Sequence, residues 1–260
     1  MRRSGAAALA GLLAAAPLSA GARAAALVPD PAWHPAVIAL ATPGGRIHAL
    51  RLGPARPRAT LVMLPGGDGE VGIGPDGTVA RADNVVIRTA PLWLARGDAL
   101  LIPDSDANLR GVRSSPAYGA AVAGLVAAAR RAAPGPVVLV GTSQGAIAAV
   151  NGAGRAPVDG LVLLEAVTRR GGSGETVFDA GPAAVTAPVL VVANAADRCP
   201  VTPPADAGRI AAAFTRAARA DVLRLDGPAA GGRACGSLSP HGERGLEAEL
   251  VDRVAGWLAR

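Results

Sequence analysis

Residues 136–150 read PVVLVGTSQGAIAAV: a short apolar run, a serine with a glycine two positions away on each side, then small residues suited to a helix. The pattern Gly141-Thr142-Ser143-Gln144-Gly145 is weak in isolation, because a chain with 34 glycines produces it by chance at an appreciable rate. Two readings compete. In one, Ser143 only caps a helix after a Gly-rich turn. In the other, the bend is so tight that the serine is strained and its oxygen stands clear of both strand and helix. Gly141 and Gly145 serve the second reading, since they let the helix pass close to neighbouring strands where a Cβ would clash. A strand before and a helix after favour it as well.

The same alternation extends in both directions. An opening hairpin-like stretch, AVIALATPGGRIHALRL (36–52), precedes apolar runs at 59–65, 98–104, 136–140, 159–167, 187–195 and 221–225. Between and after them lie helical patterns at 84–97, 115–132, 144–153, 204–220 and 242–260. Short, nearly unbroken apolar strands separated by helices predict a doubly wound, mostly parallel α/β sheet covered on both faces. Ligands of such sheets bind beyond the carboxyl ends of the strands, so the polar residues just after each strand are the informative ones. No internal repeat or inter-domain linker interrupts the pattern. One domain over 25–260 is the expectation.

Strand–GTSQG–helix resembles the nucleophile elbow of the α/β-hydrolase superfamily. That resemblance implies a serine nucleophile, Ser143, followed in chain order by an acid and then a histidine. The sequence has three histidines, and of His34, His48 and His241 only His241 follows Ser143. It lies in SLSPHGERG, between the last strand and the closing helix, where the superfamily places its base. Asp197, two residues beyond the strand APVLVVANA, is the preferred acid, its role to orient the imidazole and stabilise the imidazolium. Glu165, at the end of DGLVLLEAV, is the competing acid. An oxyanion hole would take one backbone N–H from Gln144 and the other from the Gly-rich loop after ATLVMLP, at Gly67 or Asp68. The stretch GGDGEVGIG lacks the lysine and spacing of a phosphate-binding loop.

Further stretches are similar to a group of exported bacterial α/β-hydrolases: Gly66-Gly67-Asp68-Gly69, Asn84 to Arg88, IPDSD (102–106), GTSQG, DRCPVTPP (197–204) and CGSLSPHG (235–242). The likeness runs over roughly residues 59–260. The chain departs from the group in reading Pro-Asp-Ser-Asp, which leaves the roles of Asp104 and Asp106 open. Asn84 and Arg88 are read either as lining the site or as a helix cap and a surface arginine.

The first residues, MRRSGAAALAGLLAAAPLSAGARAA, have the layout of a cleavable export signal over 1–24. Arg2 and Arg3 start it, Ala6 to Leu18 form the apolar run, and Ala22-Arg23-Ala24 is the cleavage site. The run is too short for a stable membrane span. No cysteine near the cleavage site supports a lipid anchor, so a periplasmic or secreted location is expected; the paired arginines leave the general and twin-arginine routes open. Cleavage lowers the net charge from +6 by the three arginines removed. The remaining excess is too small to argue for nucleic acid, and the chain, which has no lysine, shows no basic stripe interleaved with aromatics. In an exported chain the two cysteines, Cys199 and Cys235, favour a disulfide. That bridge would staple the acid loop to the base loop.

The resulting expectation is an exported carboxylic-ester hydrolase with no metal or organic cofactor. About 20 residues separate the strands at 159–167 and 187–195, too few for a large cap. An open site suits short-acyl esters or the accessible end of a polymer. The alternatives are a peptidase or thioesterase of the same fold, or a non-catalytic binding module. Oligomeric state is not legible in the sequence.

Overall fold

The computed structural model describes residues 26–42, 45–227 and 231–260; the expected signal segment 1–24 lies outside them. Eight strands form one sheet: β1 (Ala36–Thr42), β2 (Gly45–Leu52), β3 (Thr60–Leu64), β4 (Ala99–Asp104), β5 (Val137–Thr142), β6 (Gly160–Leu164), β7 (Val189–Asn194) and β8 (Ala220–Leu225). Their spatial order is β1-β2-β4-β3-β5-β6-β7-β8. β2 pairs antiparallel with β1 and β4, and every other neighbouring pair is parallel. This is the doubly wound, mostly parallel sheet that the apolar runs predict.

The central strands β3, β5, β6 and β7 are buried at every position, which is why they read as unbroken apolar runs. Successive side chains point to opposite faces, so each strand feeds two cores. Val62, Leu64, Leu139, Leu163 and Val191 pack with α3 (Pro116–Ala132), α4 (Gln144–Ala153) and α5 (Ala207–Ala212) through Val122, Leu125, Ile147 and Ile210. Leu61, Met63, Val138, Val140, Val162 and Leu190 pack on the other face. Their partners there include Val86 of α1 (Val85–Arg88), Trp93 of α2 (Ala90–Ala95), and Leu250, Val254 and Trp257 of α6 (Glu247–Leu258). Fully burying one such side chain stabilises the fold by roughly 1.5–3 kcal/mol.

Several helix and strand ends differ from the sequence expectation. The helix expected over 84–97 is two, α1 and α2, because Pro91 has no N–H to donate back to Ile87 and Thr89 caps α1 with its side chain on Val85 O at 2.7 Å. The helix expected over 204–220 is helical only as α5, after a 3₁₀ turn at Pro204–Asp206; the chain then leaves the helix axis and buries Phe214 in the core. The closing helix starts at Glu247, since Glu243 (φ 56°) and Gly245 (φ 82°) are left-handed. Glu165 (φ 45°) ends β6 at Leu164, earlier than the apolar run suggests.

Between β6 and β7 the chain forms only two 3₁₀ turns, Val177–Ala180 and Pro182–Ala184. Val177 and Ala180 pack in the same core as α4. No cap is built from this segment. Among the described residues no helix is long and apolar enough to cross a membrane.

Candidate active site

Ser143 stands between the last residue of β5 and the first of α4, with φ 53° and ψ −118°. That backbone conformation is costly for a residue with a Cβ and is held only because strand and helix over-determine it. The serine occupies the N-cap position but makes no side-chain cap bond, so its hydroxyl is not consumed locally. Its N–H is anchored on Leu164 O at 2.8 Å. The two glycines of the bend are sites of close approach. A Cβ at Gly141 would stand 2.5 Å from Gly145 O, and one at Gly145 would stand 2.2 Å from Leu64 O.

His241 lies in a 3₁₀ turn, Pro240–Gly242, between β8 and α6. Its Nδ1 is 3.0 Å from Asp197 Oδ2, and both side chains are buried. An ionised carboxylate only accepts, so Nδ1 is the donor and Nε2 is the ring nitrogen that the acid does not engage. Asp197 also accepts from Cys199 N at 2.8 Å and from the Thr202 hydroxyl at 2.7 Å. Thr202 Oγ1 is itself 3.1 Å from His241 Nδ1, so acid, hydroxyl and imidazole form a closed triangle. Burial alone would raise the Asp197 carboxyl. The hydrogen bond and charge of His241, with the Cys199 and Thr202 donors, outweigh it and hold the group below its ordinary value.

The loops that carry these residues are tied together. Cys199 and Cys235 are disulfide-bonded, with Cα atoms 4.7 Å apart, linking the acid loop to the segment before His241. Arg88 is no surface arginine. It lies with its guanidinium on Glu247 Oε1 (2.9 Å) and Ser237 O (2.9 Å), and also donates to Asp83 O and Gly242 O. Carbonyls on both sides of His241 thus rest on one cation. Asn84 both lines the cleft and caps α1, its side chain accepting from Val86 N at 3.1 Å.

Glu165, the competing acid, does not hold the imidazole Nδ1–H. It is buried and accepts from Asn194 N at 2.6 Å through Oε1. Its neighbour Glu243 is buried too and accepts from Asn194 Nδ2 at 3.1 Å through Oε2. Among the described residues, Glu165 Oε2 and Glu243 Oε1 have no donor. The two buried carboxyls act on one another, so a proton held by one can serve the other's orphaned oxygen. Burial first, then the negative charge of Glu243, raises Glu165 well above its ordinary value; burial pushes Glu243 up to about 7. Donor atoms of Glu165, Asp197 and His241 lie within 4.8 Å of one another. Asp197 and His241 are already committed to each other and to Thr202.

Ser143 and His241 open onto one cleft of about 650 Å³, together with Gly66, Gly67, Asp68 and Asn84. The backbone N–H groups of Gly67, Asp68 and Gln144 donate to no protein acceptor among the described residues. Gly67 adopts φ 62°. The rim is polar: Arg81 pairs with Asp68 at 3.0 Å and with Glu70, and Arg110 and Arg233 complete it. Among the described residues Val85 is the one large aliphatic side chain in the lining. A smaller cavity of about 210 Å³ lies at the opposite ends of the strands, beside Arg58, Trp93 and Asp98, and contains none of these groups. Asp104 sits away from the cleft, its carboxylate accepting from Val71 N and Ile73 N, each at 2.7 Å, to fold the loop after β3. Asp106 is exposed. Thr202 appears in the sequence only as part of the TPP stretch, and nothing there marks Glu243 as a partner of Glu165.

The chain has the α/β-hydrolase fold. It is similar to a lidless serine hydrolase from Xanthomonas campestris, at 14% identity and a TM-score of 0.58, covering 84% of this chain and 94% of that one. An esterase from Pyrococcus furiosus gives 11% identity and a TM-score of 0.64, over 87% of this chain and 91% of that one. A dienelactone hydrolase from Anabaena variabilis gives 16% identity and a TM-score of 0.59, over 85% and 94% respectively. No family model and no curated protein sequence matches the chain.

Proposed function

We propose that the chain is an exported serine hydrolase of carboxylic esters, with Ser143 as nucleophile, His241 as base and Asp197 as its orienting acid. The observation that carries this reading is a strained serine whose hydroxyl makes no cap bond, facing the same cleft as a histidine whose Nδ1–H is held by a buried carboxylate. As Ser143 Oγ bonds to the acyl carbon, His241 Nε2 takes its proton and the carbonyl π electrons move onto oxygen. The N–H groups of Gln144 and of Gly67 or Asp68, which have no protein acceptor among the described residues, receive that oxyanion. Collapse expels the alcohol, which leaves with the proton from Nε2. Water then repeats the cycle on the acyl-enzyme, releasing the carboxylic acid and restoring the serine. No step calls on a cofactor.

The absence of a cap and the scarcity of large aliphatic side chains in the cleft support short-acyl esters or the accessible end of a polymer. Export is supported by the N-terminal signal pattern and by the disulfide. The test is hydrolysis of matched short-acyl ester, thioester and aminoacyl substrates by the oxidised chain lacking 1–24. Ester turnover that disappears in Ser143→Ala is the expected result. Preferential thioester or amide cleavage would move the assignment to a thioesterase or peptidase, and inactivity on all three in folded protein would favour a binding module.

A further inference from the structure

Arg113 is the largest fully buried side chain in the structure, at 1% exposure. Its guanidinium has no carboxylate within ion-pairing distance among the described residues. It donates instead to neutral oxygens: Gly67 O at 2.9 Å, Gln144 Oε1 at 3.1 Å and Pro65 O at 3.4 Å. Glu175, the nearby acid, is taken up by the backbone N–H groups of Gly111, Arg113 and Ser114 at 2.9–3.2 Å. Asn151 of α4 fixes the same segment from the other side, donating to Arg113 O at 2.7 Å. The loop after β3 lies directly on the side chain, for a Cβ at Gly69 would stand 3.1 Å from Arg113 Nη2. Burying an arginine in this way is costly, and the guanidinium remains charged because its proton affinity is so high.

We propose that Arg113 is a positioning residue of the oxyanion site, a buried cation that locks the 65–68 loop to the start of α4 and polarises the peptide groups facing the acyl oxygen. The proposal rests on the reading of Ser143 as nucleophile. Its physical content is the Gly67 carbonyl. A hydrogen bond from a cation to Gly67 O withdraws electron density from the Gly67–Asp68 peptide and makes the Asp68 N–H a stronger donor. The bond to Gln144 Oε1 holds the residue whose own N–H is the second donor. Both halves of the hole are thereby set before charge develops, which is the condition under which such donors act most strongly.

The experiment compares Arg113→Met and Arg113→Lys with wild type on one short-acyl ester and its thionoester, whose sulfur is a poor acceptor for oxyanion donors. In folded, oxidised variants, kcat for the ester should fall about tenfold or more while KM changes little. The thionoester rate should fall far less, so the ester-to-thionoester ratio drops. Arg113→Lys keeps the charge without the fork and should lie between wild type and Arg113→Met; it carries the test if the Met variant does not fold. An unchanged ratio in a folded variant, or an equal fall on both substrates, overturns the proposal. Fluorophosphonate labelling of wild-type Ser143 separates the two levels. If wild type labels and the ratio is unmoved, only the role of Arg113 fails; if wild type does not label, the hydrolase reading fails and the proposal with it.

Discussion

Deprotonating the buried Glu243 behind the candidate triad should destabilise the protein over a defined pH range. Glu243 is pushed from 4.5 up to about 7 by burial beside Glu165. A tenfold change in proton affinity corresponds to about 1.4 kcal/mol, so Glu243 alone links roughly 3 kcal/mol of folding free energy to its proton. The folded state binds that proton more tightly than the unfolded chain does. The stabilisation is therefore complete below about 4.5 and is lost as pH rises through about 7. Asp197 acts in the opposite sense: its lowered value adds stability above 3.8 that is lost only on acidification. The two windows do not overlap. Asp98 is also raised by burial, so the wild-type curve alone does not isolate the pair. Glu243→Gln does, because it removes the Glu243 proton while keeping a side chain of nearly the same shape. Urea unfolding at constant ionic strength from pH 4.5 to 8.5, with the disulfide intact, should show wild type losing on the order of 3 kcal/mol more than Glu243→Gln across the range. Parallel curves would refute the linkage of Glu243 to folding.

Two further outcomes follow from the acid and base loops. Replacing both Cys199 and Cys235 with serine opens a loop whose ends are 36 residues apart, for which chain entropy gives about 4 kcal/mol as an upper figure. Urea unfolding of the double variant measures that loss, and kcat should fall along with it because Asp197 and His241 are carried by the two loops so joined. Thr202→Val removes the hydroxyl between Asp197 and His241; a hydrogen bond to a charged group is worth about 1.5–3 kcal/mol, so kcat should drop by about tenfold or more with KM little changed. A Thr202→Val enzyme with wild-type kcat would show that the triangle is structural.

The parts of the fold that read directly from the sequence are those decided locally or by burial on both faces. β3, β5, β6 and β7 are continuous apolar runs because helices cover both sides of them. Helix ends were less legible, since distant packing decides them: Phe214 leaves the helix axis to reach the core, and the left-handed Glu243 delays α6. Ser143 and Asp197 are legible because each lies just past a strand, and His241 because it is the one histidine that follows Ser143. Position after a strand favours Asp197 over Glu165 without separating them sharply, since both follow neighbouring strands; the geometry adds that Asp197 faces His241 Nδ1 while Glu165 accepts from Asn194 N. Arg88, Arg113 and Glu243 were illegible as supports. In an arginine-rich chain nothing local distinguishes an arginine that will be buried under a loop from one that will face solvent.

The central claim is that Ser143 is an activated nucleophile. Its most direct test is fluorophosphonate labelling of the folded, oxidised protein lacking residues 1–24, with the modified residue mapped by peptide mass spectrometry and His241→Ala run alongside. The account predicts stoichiometric modification of Ser143 in wild type and slow or absent modification in His241→Ala. Unmodified Ser143 in folded wild type, or equal modification in both proteins, would contradict it.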